Sequence, residues 1–205
     1  MLGGSSSING LVFVRGQPLD YDTWGQLGNR GWSFDDVLPF FQKMEHYEHG
    51  EDDLRSQGGP LRVSKATDEG PLYDAITAAG KELGIPHNPD YNGKSQEGIV
   101  RTQTTISNGV RMSTARCYLN PVKNRPNLRI ETNAHVQKLL FEGKKCSGVH
   151  FRKNGQDRFV HAHKEVIVCT GGVASPQLLE LSGIGQAQLL TDNGIEAVSY
   201  THLRA

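Results

Sequence analysis

Leu2-Gly3-Gly4-Ser5-Ser6-Ser7-Ile8-Asn9-Gly10-Leu11-Val12-Phe13-Val14-Arg15-Gly16 is the stretch on which the reading of this 205-residue chain turns. Five small residues lead into an apolar run, with a single Asn at the join. Small side chains let backbone approach a ligand closely, and glycine reaches positive φ at little cost. Successive backbone N–H groups in such a loop can line an anion-binding concavity. Alone, Gly-Gly-Ser-Ser-Ser reads as a flexible linker. The neighbouring residues argue the other way, because a linker need not run into Ile-Asn-Gly-Leu-Val-Phe-Val. Residues 8–14 are therefore expected to form a short buried strand bounded by glycines.

Composition narrows the classes. Lys+Arg and Asp+Glu are both 22, so the formal charge is zero and neither nucleic acid nor an anionic membrane surface is indicated as a partner. Twenty-four Gly and nine Pro imply many turns and little long helix. The three cysteines cannot all pair internally and show no C-x-x-C spacing. The expectation is reduced thiols in a cytoplasmic protein, with Cys117 and Cys169 as buried small apolar residues. No apolar run approaches the roughly 18 residues of a membrane span, and the N-terminus lacks the form of a signal peptide. The expected location is cytoplasmic, with peripheral membrane association left open. Met1 opens straight into a loop-like motif, so the chain is expected to begin inside a larger protein.

Outward from the opening stretch, Gln17 to Gly31 reads as loop. Ser33 reads as an N-cap with Asp36 three residues on, ahead of a helical stripe of Phe34, Val37, Leu38, Phe41 and Met44. Pro39 inside that stripe predicts a late start or a kink. Glu45 to Gly59 reads as an exposed polar loop and Pro60 to Ser64 as a short strand. Pro71 at a first helical position, an apolar stripe at Leu72, Ala75, Ile76, Ala79 and Leu83, and Gly84 as a stop predict a helix. His87 to Gly98 is loop, 99–106 a strand, Ser107-Asn108-Gly109 a turn, and Val110 to Tyr118 a short helix or turn. Short strands are predicted at 128–132, 136–142, 147–152, 158–162 and 165–170, with Asn154-Gly155 a hairpin turn. Val166-Ile167-Val168-Cys169 is continuously apolar, the pattern of a strand buried on both faces. It leads through Thr170-Gly171-Gly172 into a helix over roughly 174–182, with Leu178, Leu179 and Leu181 buried.

A buried strand, a glycine turn and a helix N-terminus make a site for phosphate or a backbone-contacted cofactor. Residues 165–182 have that form. Neither G-x-G-x-x-G nor the P-loop pattern occurs in the chain. His46 and His49 are spaced for a shared helical face, and His161 and His163 for a shared strand face. Neither pair has a third ligand candidate, so no metal is assigned. Asp35-Asp36 suits a helix N-terminus.

The run Leu2 to Asn9, with Phe13, Arg15-Gly16 and Asp22 at their spacings, resembles the first signature of the glucose–methanol–choline (GMC) oxidoreductases. Gly171 to Gly185, with Ser175-Pro176, Leu178-Leu179 and Ser182-Gly183-Ile184-Gly185, resembles the second, departing at Gly172, where the family more often has Ala. Trp24, Gly31-Trp32-Ser33, Gly109-Val110-Arg111, Ser113, Tyr118-Leu119 and Arg125-Pro126-Asn127-Leu128 are similar to the bacterial choline- and alcohol-dehydrogenase members. The resemblance covers about residues 1–197, while the tail 198–205 departs from it.

This resemblance implies a mixed α/β and α+β fold. The chain would be a fragment of a two-dinucleotide-fold FAD domain with part of an antiparallel-sheet substrate domain. Residues 1–58 would be the flavin-contacting segment, 59–125 part of the substrate domain, and 126–197 the return to the FAD domain. It implies FAD as cofactor, a small alcohol as substrate, and hydride transfer from the alcohol carbon to flavin N5. Gly3 and Gly4 would lie against the ribityl–pyrophosphate part of FAD. Asn9, Gly10, Leu11 and Val12 would pass the flavin ring, and Val136 would meet the adenine end through its backbone. Amides near the ring would stabilise charge developing on reduced flavin. The family's Gly-rich βαβ unit is expected before Met1 and its catalytic His, paired with a second His or Asn, beyond residue 205. No catalytic residue is assigned in this chain, and as an isolated fragment it is expected to be inactive. Oxidase or dehydrogenase, the electron acceptor, and a cyanohydrin-cleaving lyase of the same fold family stay open.

Overall fold

The structure is a computed structural model that describes residues 1–67 and 70–198. The tail at Ser199 to Ala205 lies outside the described residues. The chain divides into two compact units, Met1–Arg129 and Ile130 onward.

In the first unit, helix α1 (Pro18–Gln26) occupies what the sequence reads as loop. Pro18 takes the first helical position, and Asp20 Oδ2 accepts from Gln17 N at 2.8 Å. Those are helix-start signals, masked by a weak apolar periodicity. Helix α2 (Phe34–Met44) starts at the expected Ser33 cap, where Asp36 N donates to Ser33 Oγ at 3.4 Å and Ser33 N to Asp36 Oδ2 at 3.1 Å. Phe34 N also donates to Asp22 Oδ1 of α1 at 2.9 Å. The helix runs through Pro39 with no late start. Its stripe of Phe34, Val37, Leu38, Phe41 and Met44 is half-buried, while Phe40 off the stripe is exposed. Tyr21 of α1 meets Phe41 edge-on with ring centres 5.7 Å apart.

Strand β1 (Glu45–Tyr47) follows directly, runs parallel to β2 (Leu61–Lys65), and β2 pairs antiparallel with β3 (Gln103–Thr104). Here the expected exposed loop at 45–59 is corrected: Glu45, Tyr47 and Arg55 are buried. Strands β4 (Ile106–Ser107) and β5 (Val110–Arg111) form a hairpin through Asn108-Gly109, as the sequence predicts, both at positive φ (50° and 71°). A wide helical turn over Ala115–Leu119 completes the ambiguous 110–118 segment. Phe13, Tyr47, Leu61, Val63 and Cys117 form the core, with Met44 and Met112 against it.

Residues 8–14 are not a buried strand. Leu11 sits at φ 68° and breaks the extended run, and Val12 makes one isolated bridge to Thr104. Phe13 and Arg15 point inward, Val12 and Val14 outward. Helix α3 (Pro71–Glu82) forms as predicted, but its stripe faces the wrong way for a core. Leu72 is 73% exposed and Leu83 78%. The covered side is Tyr73, Thr77 and Gly80, because Gly80 abuts Ile99 and Tyr73 lies 3.9 Å beneath the Arg101 guanidinium. His46 lies on β1 and His49 in the following turn, so the pair shares no helix; His46 Nδ1 accepts from Gly58 N at 3.0 Å.

The second unit is an antiparallel meander of β6 (His135–Glu142), β7 (Lys145–Lys153) and β8 (Gln156–His161). Asn154-Gly155 makes the predicted tight turn with φ 53° and 75°. Helix α4 (Ala174–Leu181) packs on β6. Leu178 and Leu139 are buried, and Leu139 N donates to Ser182 Oγ at 2.8 Å. Leu181 is exposed, unlike Leu178, since it falls on the outer side of the helix. Helix α5 (Ala187–Asp192) buries Leu190. Residues 128–132 and 165–170 are not strands. Ile167 is 76% exposed and Cys169 exposed, because burial on both faces requires a strand within a sheet that is covered on each side, and no described strand pairs with this segment. Among the described residues, no helix is long and apolar enough to cross a membrane and no metal-binding cluster occurs.

Candidate functional site

Residues 3–12 form a knitted loop rather than a linker. A 3₁₀ turn runs over Gly4–Ser7. Gly3 stands at φ 87°, and a Cβ there would collide with the Ser7 hydroxyl and press on Ala115. The loop's serines are its ties. Ser6 Oγ donates to Gly3 O and accepts from Thr114 N at 2.9 Å, while Thr114 Oγ1 donates to Gly3 O at 3.1 Å. Ser7 Oγ donates to Leu2 O at 2.9 Å. A solvated linker would leave these groups to water; here a second segment 108 residues away satisfies them.

Asn9 is the next fixed point. Its Oδ1 accepts from Leu11 N at 3.2 Å, a local turn that the short amide side chain favours. Arg111 Nη1 donates to that same Oδ1 and to Asn9 O, both at 2.8 Å, and to Ser6 O at 3.3 Å. Leu11 O accepts from Thr105 N at 2.9 Å. Between and beyond these ties, the N–H groups of Gly10 and Val12 have no protein partner among the described residues. A Cβ on Gly10 would meet nothing within 4 Å. Its open side is thus not required by the protein's own packing, which fits close approach of something else.

The loop is anchored from behind. Phe13 N donates to Gln103 O at 2.9 Å, and Phe13 O accepts from Tyr91 Oη at 2.8 Å and Asn92 Nδ2 at 3.2 Å. Arg15 then enters a buried polar cluster. Glu45 takes Arg55 in bidentate fashion (2.9 and 3.0 Å) and Arg15 at 3.0 Å. Arg55 Nη1 also donates to Asp90 at 2.8 Å and to Gln103 Oε1 at 3.0 Å. Arg15 Nη1 donates to Leu54 O at 2.6 Å. Arg15 Nε is the one buried side-chain polar atom left unpartnered among the described residues. Burial and the neighbouring Arg55 charge outweigh Glu45 and lower the Arg15 pKa, whereas for Arg55 the hydrogen bonds and charge of Glu45 and Asp90 overcome burial and raise it. Fixed on both sides, the 13–15 backbone gives the 9–12 loop a rigid base.

Of the residues singled out in the sequence, Gly3, Gly4, Asn9, Gly10, Leu11 and Val12 share this one loop. Val136 belongs to the second unit, second in β6, opposite Phe151 and just before a register shift. Within its own unit β6 is an edge strand, so it has a ladder partner on one side only. Sequence alone assigns Arg111 no role and passes over Glu45, Arg55, Asp90 and Gln103 altogether. No local spacing links those four; only the fold brings them together.

Known proteins resemble this chain along nearly its whole length. The family model described as GMC oxidoreductase matches residues 1–196. The chain is 43% identical over 199 residues to an oxygen-dependent choline dehydrogenase of Brucella anthropi, covering 97% of this chain and 36% of that protein. It is 44% identical over 196 residues to one of Sinorhizobium fredii, with 96% and 36% covered. Among solved structures, an FAD-dependent oxidoreductase from Chaetomium thermophilum superimposes with a TM-score of 0.89 at 32% identity, covering 96% of this chain and 36% of that one. Pyridoxine 4-oxidase from Mesorbium loti superimposes with a TM-score of 0.88 at 32% identity, covering 96% and 39%. The chain thus spans about 36% of the length of the curated relatives it matches.

Proposed function

We propose, from the premise that this chain belongs to the GMC oxidoreductase family, that it carries the flavin-facing loop of an FAD-dependent enzyme oxidising the CH–OH group of a small alcohol. Relatives named for choline and pyridoxine support an alcohol substrate. The observation that carries the reading is a pair of amides, Gly10 and Val12, without a partner among the described residues, on a loop whose neighbouring groups are tied down.

Bound against this loop, FAD supplies the acceptor to which hydride passes from the alcohol carbon as the carbonyl forms. The chain's own part is positioning and electrostatics. Gly3 and Gly4 let the backbone approach the ribityl–pyrophosphate portion. Gly10 and Val12 N–H groups donate to the electron-rich edge of the ring, where fixed dipoles act without reorganising. Asn9 and Leu11 set the loop's course, and the Val136 backbone meets the adenine end. Residues 1–58 serve the flavin domain, 59–125 the substrate domain and 126–197 the flavin domain again. No residue of this chain is assigned the substrate's proton, so the isolated chain is expected to be inactive.

The test uses a full-length enzyme containing this chain. Flavin absorbance that survives desalting, and its anaerobic bleaching by an alcohol, are the expected results. Retained flavin with cyanohydrin cleavage and no bleaching would favour the lyase instead. Absence of flavin absorbance after incubation with FAD would overturn the reading.

A further inference from the structure

The Arg111 guanidinium has an unusual set of partners. It donates to backbone and amide oxygens of the opening loop: Asn9 O and Asn9 Oδ1 at 2.8 Å and Ser6 O at 3.3 Å. No carboxylate among the described residues pairs with it. Contrast Arg15 and Arg55, whose two charges are matched by Glu45 and Asp90. Arg111 therefore brings a positive charge with no carboxylate partner among the described residues to this loop, and the shorter of its two backbone bonds falls on one peptide.

That peptide is the one between Asn9 and Gly10. Its carbonyl takes the cation, and its N–H is that of Gly10, which has no partner among the described residues and points away from Arg111, because C=O and N–H are opposed in a trans peptide. A hydrogen bond donated to a carbonyl polarises the whole amide and makes its N–H a stronger donor, and a charged donor strengthens the effect. The second bond, to Asn9 Oδ1, holds the side chain where it occupies Leu11 N–H. The Asn9 side chain, held by Arg111, thus caps Leu11, while Arg111 on the Asn9 carbonyl leaves Gly10 N–H electron-poor.

We propose that Arg111 is a positioning residue that aims the Asn9–Gly10 peptide outward and polarises it, making Gly10 N–H a charge-assisted donor to an electron-rich ligand edge. The proposal rests on the flavin reading above for the identity of that ligand. In that setting Arg111 favours the more negative, reduced form of the ring without touching it. Had Arg111 served only to fasten the loop to β5, its loss would free Leu11 N–H and leave the exchange of Gly10 N–H unslowed.

The experiment measures amide hydrogen exchange by NMR in a flavin-free, full-length enzyme containing this chain, with glycine and leucine selectively isotope-labelled, comparing wild type with Arg111→Gln and Arg111→Lys under base-catalysed conditions. Gly10 N–H already lacks a hydrogen bond, so loosening does not expose it further; removing the charge makes it less acidic and slows its exchange. A unit charge roughly 5 Å away in a water-like dielectric corresponds to about a fourfold change. The expected result for Arg111→Gln is Gly10 about fourfold slower and Leu11 faster, with Gly10 restored in Arg111→Lys. An unchanged Gly10 rate, or Gly10 and Leu11 both faster, overturns the proposal. Should Arg111→Gln fail to fold, the wild-type enzyme is compared in low and molar salt, which screens the charge. Gly10 is then expected to slow relative to the exposed Gly172, and an unchanged ratio overturns the proposal. Because no flavin is present, failure here removes the role of Arg111 alone, whereas missing flavin absorbance in the full-length enzyme removes the ligand's identity and leaves the exchange result standing.

Discussion

Glu45 is completely buried and is the carboxylate that joins Arg15 to Arg55. Removing one member of such a cluster strands a charge in low dielectric, which costs far more than the intact pair is worth. Glu45→Gln is expected to destabilise the first unit by about 3 kcal/mol, read as a lower midpoint in urea unfolding. Tyr47, stacked 3.7 Å beneath the Arg55 guanidinium, has its phenol pushed up to about 12, first by burial and then by the Asp90 charge. Its folded pKa lies above the ordinary value of 10. The associated stability is therefore fully present below about pH 10 and is lost as pH rises toward about 12. Tyr47→Phe should keep the neutral-pH stability and show a shallower alkaline decline, measured by unfolding at a series of pH values. Neither residue stands out in the sequence. Glu45 reads as the start of a solvated loop, since its partners Arg15 and Arg55, and the Asp90 that Arg55 also binds, lie on separate segments.

At the scale of elements, legibility follows the range of the forces involved. Helix α2 and the two Asn-Gly turns are readable because caps, stripe and turn chemistry act over a few residues. The β6–β7–β8 meander is readable for the same reason, as its strands are joined by short turns. Helix α1 escapes because its signal lies in Pro18 and Asp20 rather than in an apolar stripe. The inverted face of α3 escapes because periodicity shows that a helix has an apolar side, not which neighbour it meets. Gly148 gives the meander a test. A Cβ there would drive into the Val160 carbonyl across the β7–β8 ladder, which is backbone and does not swing aside. Gly148→Ala should cost about 2 kcal/mol of overpacking and displace amide signals of Val160 and His161 while leaving those of α2 in place.

At the scale of the molecule, large apolar residues stand exposed on several elements, among them Leu72, Ile76 and Leu83 on α3, Phe159 and Val160 on β8, and Ile167 and Val173 beside the glycine turn. Apolar surface of this extent binds dyes and promotes association. The isolated chain is expected to enhance ANS fluorescence and to scatter light increasingly with concentration, and Leu72→Glu with Leu83→Glu should reduce both. By itself the sequence determined the family, through two ordered glycine-containing motifs, together with the helices, turns and loop residues that local chemistry dictates. It also set Gly3 to Ser7 apart from a solvated linker, through the run into Ile8-Asn9-Gly10 that follows. Only the tertiary structure decided that residues 8–14 are an anchored loop instead of a buried strand, that 165–170 has no strand partner among the described residues, and that Arg111 binds the Asn9 carbonyl while the Gly10 N–H of the same peptide has no partner among them. The reason is physical: propensity, capping and turn preference are written within a few residues, whereas burial, charge pairing and the fate of a backbone N–H depend on which distant segments the fold sets beside them.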